Sequence, residues 1–404
     1  MAPKKARAVS KKPHFKSDWN PLSLINRTGE TPSFHFRWKK IGSKRRRIGE
    51  PNFAMFKLHN AFLELFKEAV GRLDGSEKTR ITQLPSARAC RVGDNPLKNA
   101  QEHIGSEYFY VTDFSDAYEN VDHDSLAALL MFIFRRNDYR KMGYHLHDLA
   151  RTMLVFETVA QDPMFPFWKS FTRLAFGGFA GEGIAFGAHL SPFIFNLYCE
   201  VYLDDKLRYY LEKFKDRERR EKTFVYTRYL DDLVFSRNLP VGEHIRSTIR
   251  RAIDDAGFPV NHRKSKVLIR SKGTVFVTKV GLRTLHPLAQ DDDHVQIGRS
   301  ESVLVFPRKK RRRIEHLIRS YSAVATSTKG PVLHWNEHPE KTIGHIAEFI
   351  YYLKNVKNPT RGDLRTLAKC EEFEEIAAHH LEKMRWARRE TTRWRKLEKE
   401  TRTR

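Results

Sequence analysis

Cysteine is scarce in this chain: three residues among 404, Cys90, Cys199 and Cys370, all far apart. That spacing excludes a disulfide framework and a cysteine-based metal site, and it points to a reducing cytoplasm. Long hydrophobic runs are missing too; no stretch approaches the ~20 apolar residues that a membrane span needs. The N-terminal segment MAPKKARAVSKKPHFKSDW has no apolar centre, so it does not read as a secretory signal, and its prolines argue against a transit peptide. Acidic residues are the third shortage. Against 74 Lys+Arg there are 49 Asp+Glu, a net charge of +25. A field of that size attracts a polyanion, and nucleic acid is the usual one. A merely soluble basic surface is the plainer alternative. The blocks KKARAVSKK, KKIGSKRRR, RKKRRR and RWARRETTRWRK favour the polyanion, because the positive charge is gathered rather than spread.

What is present supports a large core. Hydrophobic residues make up 40% and aromatics 12%, enough for one large core or two to three coupled domains. No repeat and no linker is evident, so lobes of one machine are expected. Residues 1 to about 30 read as a basic arm. FHFRWKKIGSKRRRIGEP (34–51) alternates apolar and basic residues around Gly42-Ser43 and predicts a hairpin. AMFKLHNAFLELFKEAV (54–70) and SLAALLMFIFRR have helical character, and YFYVTDFSDAYENV (108–121) opens as a strand. GGFAGEGIAFGAHLSP (177–192) is a glycine-rich loop followed by a long helix. STIRRAIDDAGF is an amphipathic helix closed at Gly257. VLIR and TVFVTKVGLRT are strands, and from Gly298 onward the chain reads as helical and basic.

On so basic a background the acidic clusters stand out. The aspartate pair beginning at 204 falls on a predicted helix and 291–293 on a loop, and both are expected to be solvated. YTRYLDDLVFS (226–236) differs: Asp231 and Asp232 interrupt an apolar strand pattern and are placed at a hairpin turn. Turns tolerate aspartate, so the pair alone says little. Asp113 interrupts FYVTDFSDAY in the same way. Two strands that each deliver carboxylate to one sheet edge make a site for hard cations such as Mg²⁺, which prefers carboxylate oxygen, water and substrate phosphate. Two such ions about 4 Å apart clamp an in-line phosphoryl transfer.

These stretches resemble the motifs of reverse transcriptases, in order over about residues 30 to 320. Tyr229-Leu230-Asp231-Asp232 is similar to their Tyr-x-Asp-Asp motif, and Asp113-Phe-Ser-Asp-Ala-Tyr118 to motif A. Gly187-Ala-His-Leu-Ser191-Pro192 with Asn196 is similar to motif B, GFPVNHRKS (257–265) to motif D, and VFVTKVGL (275–282) to the primer grip. FRWKKIGSKRRRIGEP resembles the fingers motif, and SARACRVGDNPLKNAQEH (86–103) the stretch preceding motif A in the bacterial retron and antiphage-defence group. One departure stands out: where the family has Pro-Gln-Gly, this chain has Ala185-Phe186-Gly187. Phe186 stacks on a template base, packs in its loop, or marks unusual template handling; the sequence leaves these open.

The resemblance implies an α+β right-hand polymerase: fingers at 31–105, palm at 106–125 and 176–295 with an antiparallel sheet, an insertion at 126–175, and a helical basic thumb and tail at 296–404. It implies catalysis by Asp113, Asp231 and Asp232, with metal held by these and the Phe114 main chain, the ions being two Mg²⁺ with Mn²⁺ as a substitute. It assigns Ser115, Asp116 and Ala117 to the triphosphate cradle and Tyr118 to a gate against the ribose 2′-hydroxyl. Lys39 or Lys40, with Arg46, would grip phosphates, Phe186 and Gly187 would lie by the nucleotide, and Lys264 would protonate pyrophosphate. Plain packing or a solvated surface is the alternative for Tyr118 and for the lysines. His103 is expected to be structural. Trp386 and Trp394, on one helical face of the tail, are expected to pack. The implied function is RNA-directed DNA synthesis in the bacterial cytoplasm, in antiphage defence, with a structured non-coding RNA as template and primer, deoxynucleotides as substrates and DNA as product. A protein partner or a homo-oligomer stays open, and no membrane is involved. Template-independent or protein-primed synthesis is one alternative. A catalytically silent nucleic-acid-binding scaffold is another.

Overall fold

The computed structural model describes residues 30–41, 44–91, 93–149, 153–214, 224–284, 302–305 and 308–325, and then 346, 349–350, 353 and 363–373. The basic arm before residue 30, the aspartates at 291–293 and the two tail tryptophans lie outside the described residues. The chain divides into two compact units, each assembled from separate segments: Met1–Ala87, Phe114–Lys213 and Ser247–Asn261 in the first, and Arg88–Asp113, Phe214–Arg246 and His262–Arg404 in the second. Among the described residues no helix is long and apolar enough to cross a membrane.

The first unit opens with the expected hairpin, β1 (Phe34–Ile41) and β2 (Lys44–Pro51), paired antiparallel. The helix Phe53–Gly71 follows at once. Asn52 caps it, its side-chain oxygen accepting from Met55 N at 2.8 Å. Met55, Leu58, Phe62 and Phe66 recur at helical spacing and are buried. They face the helix His123–Phe134, whose residues from Leu126 to Phe134 are all buried. A helix apolar all round belongs at the centre of its unit. Phe134 meets Trp168 of the helix Phe165–Phe176 at 5.0 Å between rings.

The long helix predicted after the glycine loop is present, with a wide turn inside it. Ser191–Cys199 and Asp205–Glu212 are α-helical, and the intervening Glu200–Asp204 is a π turn. Its carboxylates correct one expectation. Asp204 is wholly buried, not solvated, and so is Glu200. Arg208 donates to Glu200, and Arg80 lies 3.4 Å from Glu200 and 3.7 Å from Asp205. Burial pushes the Glu200 carboxyl up to about 7, while Arg208 pulls it down and Asp204 adds to the rise. A long-range ion cluster of this kind leaves no signal in the local sequence.

The second unit is built on a four-stranded antiparallel sheet in the order β4-β5-β3-β6. Its strands are β3 (Tyr108–Asp113), β4 (Val225–Tyr229), β5 (Asp232–Arg237) and β6 (Lys266–Ile269). A second sheet joins β7 (Val275–Val277), β8 (Val280–Thr284) and β9 (Ser302–Val305). β9 lies where only helix was expected. Ser-Val-Leu-Val is a short β-branched run, and it completes the sheet beside β8 before the basic helix Arg308–Ala325 begins. Val275, Val277, Leu282 and Leu304 share a core with Ile314, Ile318 and Phe349. His103 proves structural, as expected. Its two ring nitrogens each lie 2.7 Å from a hydroxyl, Ser236 Oγ on β5 and Thr227 Oγ1 on β4, so the imidazole pins the edge strand β4 to its neighbour β5.

Candidate active site

Register decides where the acids go. β3 pairs with β5 so that Asp113, the last residue of one strand, faces Asp232, the first of the other. Directly opposed residues in an antiparallel pair have Cα atoms about 4.5–5.5 Å apart. β4 and β5 form the hairpin that the apolar pattern predicts, with Tyr229 opposite Asp232 and a turn of only two residues, Leu230 and Asp231. A turn that short needs positive φ, and Leu230 supplies it at φ 55°. A branched side chain in the left-handed region costs of order 1 kcal/mol or more, and such strain gathers at functional sites. Arg228, a wholly buried side chain, donates from Nη1 to the Leu230 carbonyl at 3.3 Å and so supports the turn from beneath.

The electrostatics follow from this crowding. Burial, then the neighbouring Asp231 charge, push the Asp232 carboxyl up to about 6. The Lys279 ammonium pulls it the other way. Lys279 sits in the tight β7–β8 turn, where both Thr278 and Lys279 have positive φ, 45° and 69°. Asn99 Nδ2 holds that turn through Thr278 Oγ1 at 3.2 Å. Sequence reading found the stretch 275–282 but missed Lys279 and Arg228. A lysine at a two-residue turn between β-branched runs was the available signal for the first. An arginine at an inward strand position was the signal for the second.

Asp113 is buried, and Lys264 forms an ion pair with its Oδ2. The next strand entry is fixed by Thr112 Oγ1 and Ser265 Oγ, 2.8 Å apart. Among the described residues Asp113 Oδ1 is buried with no hydrogen-bond partner. A buried, unpartnered carboxylate oxygen that faces a second, desolvated aspartate is a donor set suited to a hard divalent cation. No three acid, histidine or cysteine side chains among the described residues are already gathered around one point. Asp113 Oδ2 is engaged by Lys264. Lys264 therefore sits at a carboxylate in this structure, whereas the resemblance implies a contact with pyrophosphate.

Apart from Lys264, the residues expected at the nucleotide lie in the first unit. Phe114 buries its ring against Phe258 at 4.6 Å, so only its main chain could serve a metal. Ser115 donates its amide to the Pro259 carbonyl at 2.8 Å, which removes that N–H from a phosphate cradle as expected from the sequence. Asp116 is exposed at φ 48°, and its carbonyl accepts from Asn120 Nδ2 at 2.8 Å. Ala117 is buried. Tyr118 is also buried; its ring stacks on Phe195 at 4.9 Å and 10° and meets Phe186 edge-on at 5.3 Å. The Arg46 guanidinium lies 5.1 Å over the Phe186 ring. Phe186 thus packs between the two residues assigned to phosphate and sugar. Its carbonyl accepts from Gly49 N at 2.8 Å. Gly187 has φ 98°, and a Cβ there would lie 2.4 Å from Ile48 Cγ2. Register also separates the lysines. Lys39 opposes Arg46 and shares its face, whereas Lys40 opposes Arg45 on the other.

Residues 38–297 match the family described as reverse transcriptase (RNA-dependent DNA polymerase). The chain belongs to the reverse transcriptase family. Its mixed helices and antiparallel sheets are those of the right-hand polymerase fold. A search of curated proteins finds no match. Among solved structures, apo telomerase from Candida tropicalis aligns at 10% identity and a TM-score of 0.41, covering 63% of this chain and 48% of that one. The same telomerase truncated from its C-terminal domain aligns at 13% and 0.34, over 66% and 58%. Telomerase from Candida albicans in complex with a telomeric RNA fragment aligns at 13% and 0.34, over 86% and 60%. This reverse transcriptase chain therefore spans about half to three fifths of the length of those proteins.

Proposed function

We propose that this chain is an RNA-directed DNA polymerase that extends a 3′-hydroxyl with deoxynucleotides. The carrying observation is the β3–β5 register, which opposes Asp113 to Asp232 at a strained two-residue turn. Asp113, Asp231 and Asp232 would hold two Mg²⁺ or Mn²⁺ ions, with the Phe114 main chain as a further oxygen donor. When bound, such ions neutralise the charge that builds on the attacking and leaving oxygens. The chain's own residues do the rest. Arg46, with Lys39 on the same face, grips the β- and γ-phosphates, arginine as a two-pronged donor. Tyr118, braced by Phe195 and Phe186, blocks a ribose 2′-hydroxyl. Lys264 gives a proton to the departing pyrophosphate once it leaves Asp113. In domain terms, the β1–β2 hairpin is assigned to the fingers, the β3–β6 sheet to the palm and the basic helix Arg308–Ala325 to the thumb.

The finer reading is a bacterial, cytoplasmic enzyme of the retron or antiphage-defence type that works on a partner non-coding RNA. The order of its motifs and a net charge of +25 support it. Phe186 in the glutamine position motivates a second reading, template-independent or protein-primed synthesis by the same acids. Its packing between Arg46 and Tyr118 gives it work that needs no template contact. One experiment separates the readings. Purified, nuclease-treated protein is incubated with Mg²⁺ and each deoxynucleotide singly, and then with a primed RNA. Incorporation only with primed RNA supports copying; long products without RNA overturn it. No product under either condition, with RNA still bound, leaves the silent scaffold.

A further inference from the structure

The β1–β2 hairpin has two unlike faces. One carries Lys39 and Arg46, together with Arg37 and its ion-pair partner Glu50. The other carries Phe34, Phe36, Trp38 and Lys40 from β1, opposite Pro51, Gly49, Arg47 and Arg45 from β2. That second face holds three aromatic rings, three cations and no acid. Phe36 is anchored edge-on to Phe179 at 5.7 Å. Trp38, further out, is 55% exposed. Arg47 lies 4.7 Å over the Trp38 ring and 3.4 Å from the centre of Phe179, and Arg45 lies 5.7 Å over Trp38. An exposed tryptophan flanked by two arginines is a mixed aromatic and cationic patch rather than a scattered apolar residue. Two guanidiniums already held against aromatic rings lose little freedom on binding, and they present charge beside a flat π surface.

We infer that Trp38, with Arg45 and Arg47, is a stacking platform for single-stranded nucleic acid, one base lying on the indole and the adjoining phosphates on the arginines. Bases stack on aromatics without regard to sequence, so the platform suits a strand of any sequence. The face is purely cationic, which matches a phosphodiester chain and not a neutral partner. The platform is separate from the Arg46 face, which the polymerase reading gives to the incoming nucleotide, and this inference rests on that reading for its biological setting only.

The test is fluorescence anisotropy of the full chain with an end-labelled 12-mer of uridine or thymidine, and with a duplex of equal length, across a salt series. Trp38→Ala should weaken single-strand binding by roughly 5- to 100-fold while duplex binding changes less than twofold. Its salt slope should stay that of the unaltered chain. Trp38→Tyr, checked for an unchanged melting temperature, should recover most of the affinity. Arg45→Ala with Arg47→Ala should lower the slope by roughly 1.4. Equal single-strand affinity in Trp38→Ala overturns the platform, as does a polyglutamate peptide that competes as well as the oligonucleotide. If Trp38→Ala binds normally while synthesis still depends on Asp232, the platform fails and the polymerase stands. If binding depends on Trp38 and no synthesis occurs, the reverse holds.

Discussion

Two antiparallel hairpins, one with an acidic tip and one basic along its length, are built in opposite ways. The β4–β5 hairpin is acidic at its tip and belongs to a four-stranded sheet. Its turn is two residues long with Leu230 strained, and buried Arg228 and His103 hold it from below. The β1–β2 hairpin is basic, forms a sheet of only two strands, and leaves most of its cations exposed. The contrast suits the partner that the proposed function gives each. A small divalent ion needs oxygens placed to a few tenths of an ångström, so rigidity is bought with burial and strain. A nucleic-acid strand is long and mobile, and exposed arginines can follow it at little desolvation cost.

Removing the acids breaks the comparison most severely. Asp231→Ala with Asp232→Ala should lower nucleotide incorporation by at least roughly 10³-fold, with circular dichroism unchanged, because the charge-neutralising site is gone. If single-turnover assays show less than a tenfold loss, the acidic hairpin is not the reaction centre.

The basic hairpin should respond more gently and by face. Arg46→Ala should raise KM for deoxynucleotide by about 10- to 100-fold, the worth of a charge-assisted contact. Lys39→Ala should do so less, and Lys40→Ala should stay within about twofold. Steady-state kinetics on the three variants would sharpen or refute the division by register.

Acid should loosen the sheet that bears the acidic tip. Burial, with Arg88 nearby, pushes His103 down to about 3. The unfolded chain takes that proton near the ordinary 6.5, the folded chain only near 3. Stability from this group is therefore complete above pH 6.5 and falls by up to about 1.4 kcal/mol per pH unit below it. Urea titrations at pH 7.5 and 5 should show the loss, and His103→Gln should show lower stability at pH 7.5 with a flatter pH dependence.

The smallest effect has the opposite sign. Asp232 keeps its proton up to about 6 when folded, against about 4 when unfolded. Its contribution is present at low pH and lost as pH rises through that window. In chelator, Asp232→Asn should therefore melt above the unaltered chain at pH 8, by on the order of 1 kcal/mol, and match it near pH 4. A lower melting temperature at pH 8 would show that Lys279 more than offsets the burial.

Much of this was legible before any coordinates. Asp113, Asp231 and Asp232 each interrupt a period-2 apolar run, and local pattern alone placed them at strand ends. The hairpin at 34–51, the helix at 54–70 and the cap at Gly257 are local for the same reason. What escaped is long-range. Asp204 looks like a solvated helix residue until the fold buries it beside Glu200 and Arg208. The Ser115 amide looks free until Pro259 arrives across more than a hundred residues. Lys39 and Lys40 are equivalent in a string of basic residues, and only the pairing partner tells them apart. β9 reads as helix in the sequence because only three apolar residues, Val303, Leu304 and Val305, lie beside a long basic helical run.

The missing side chain at 187 has a further consequence. With φ 98° and Ile48 within 2.4 Å of where a Cβ would stand, position 187 works as a spacer of zero thickness beneath β2. Any larger residue would be a wedge, prising the arginine-bearing strand off the loop to which Gly49 and Phe186 tie it. The side chain offered at 186 can thus vary while its bare neighbour keeps the seating height constant.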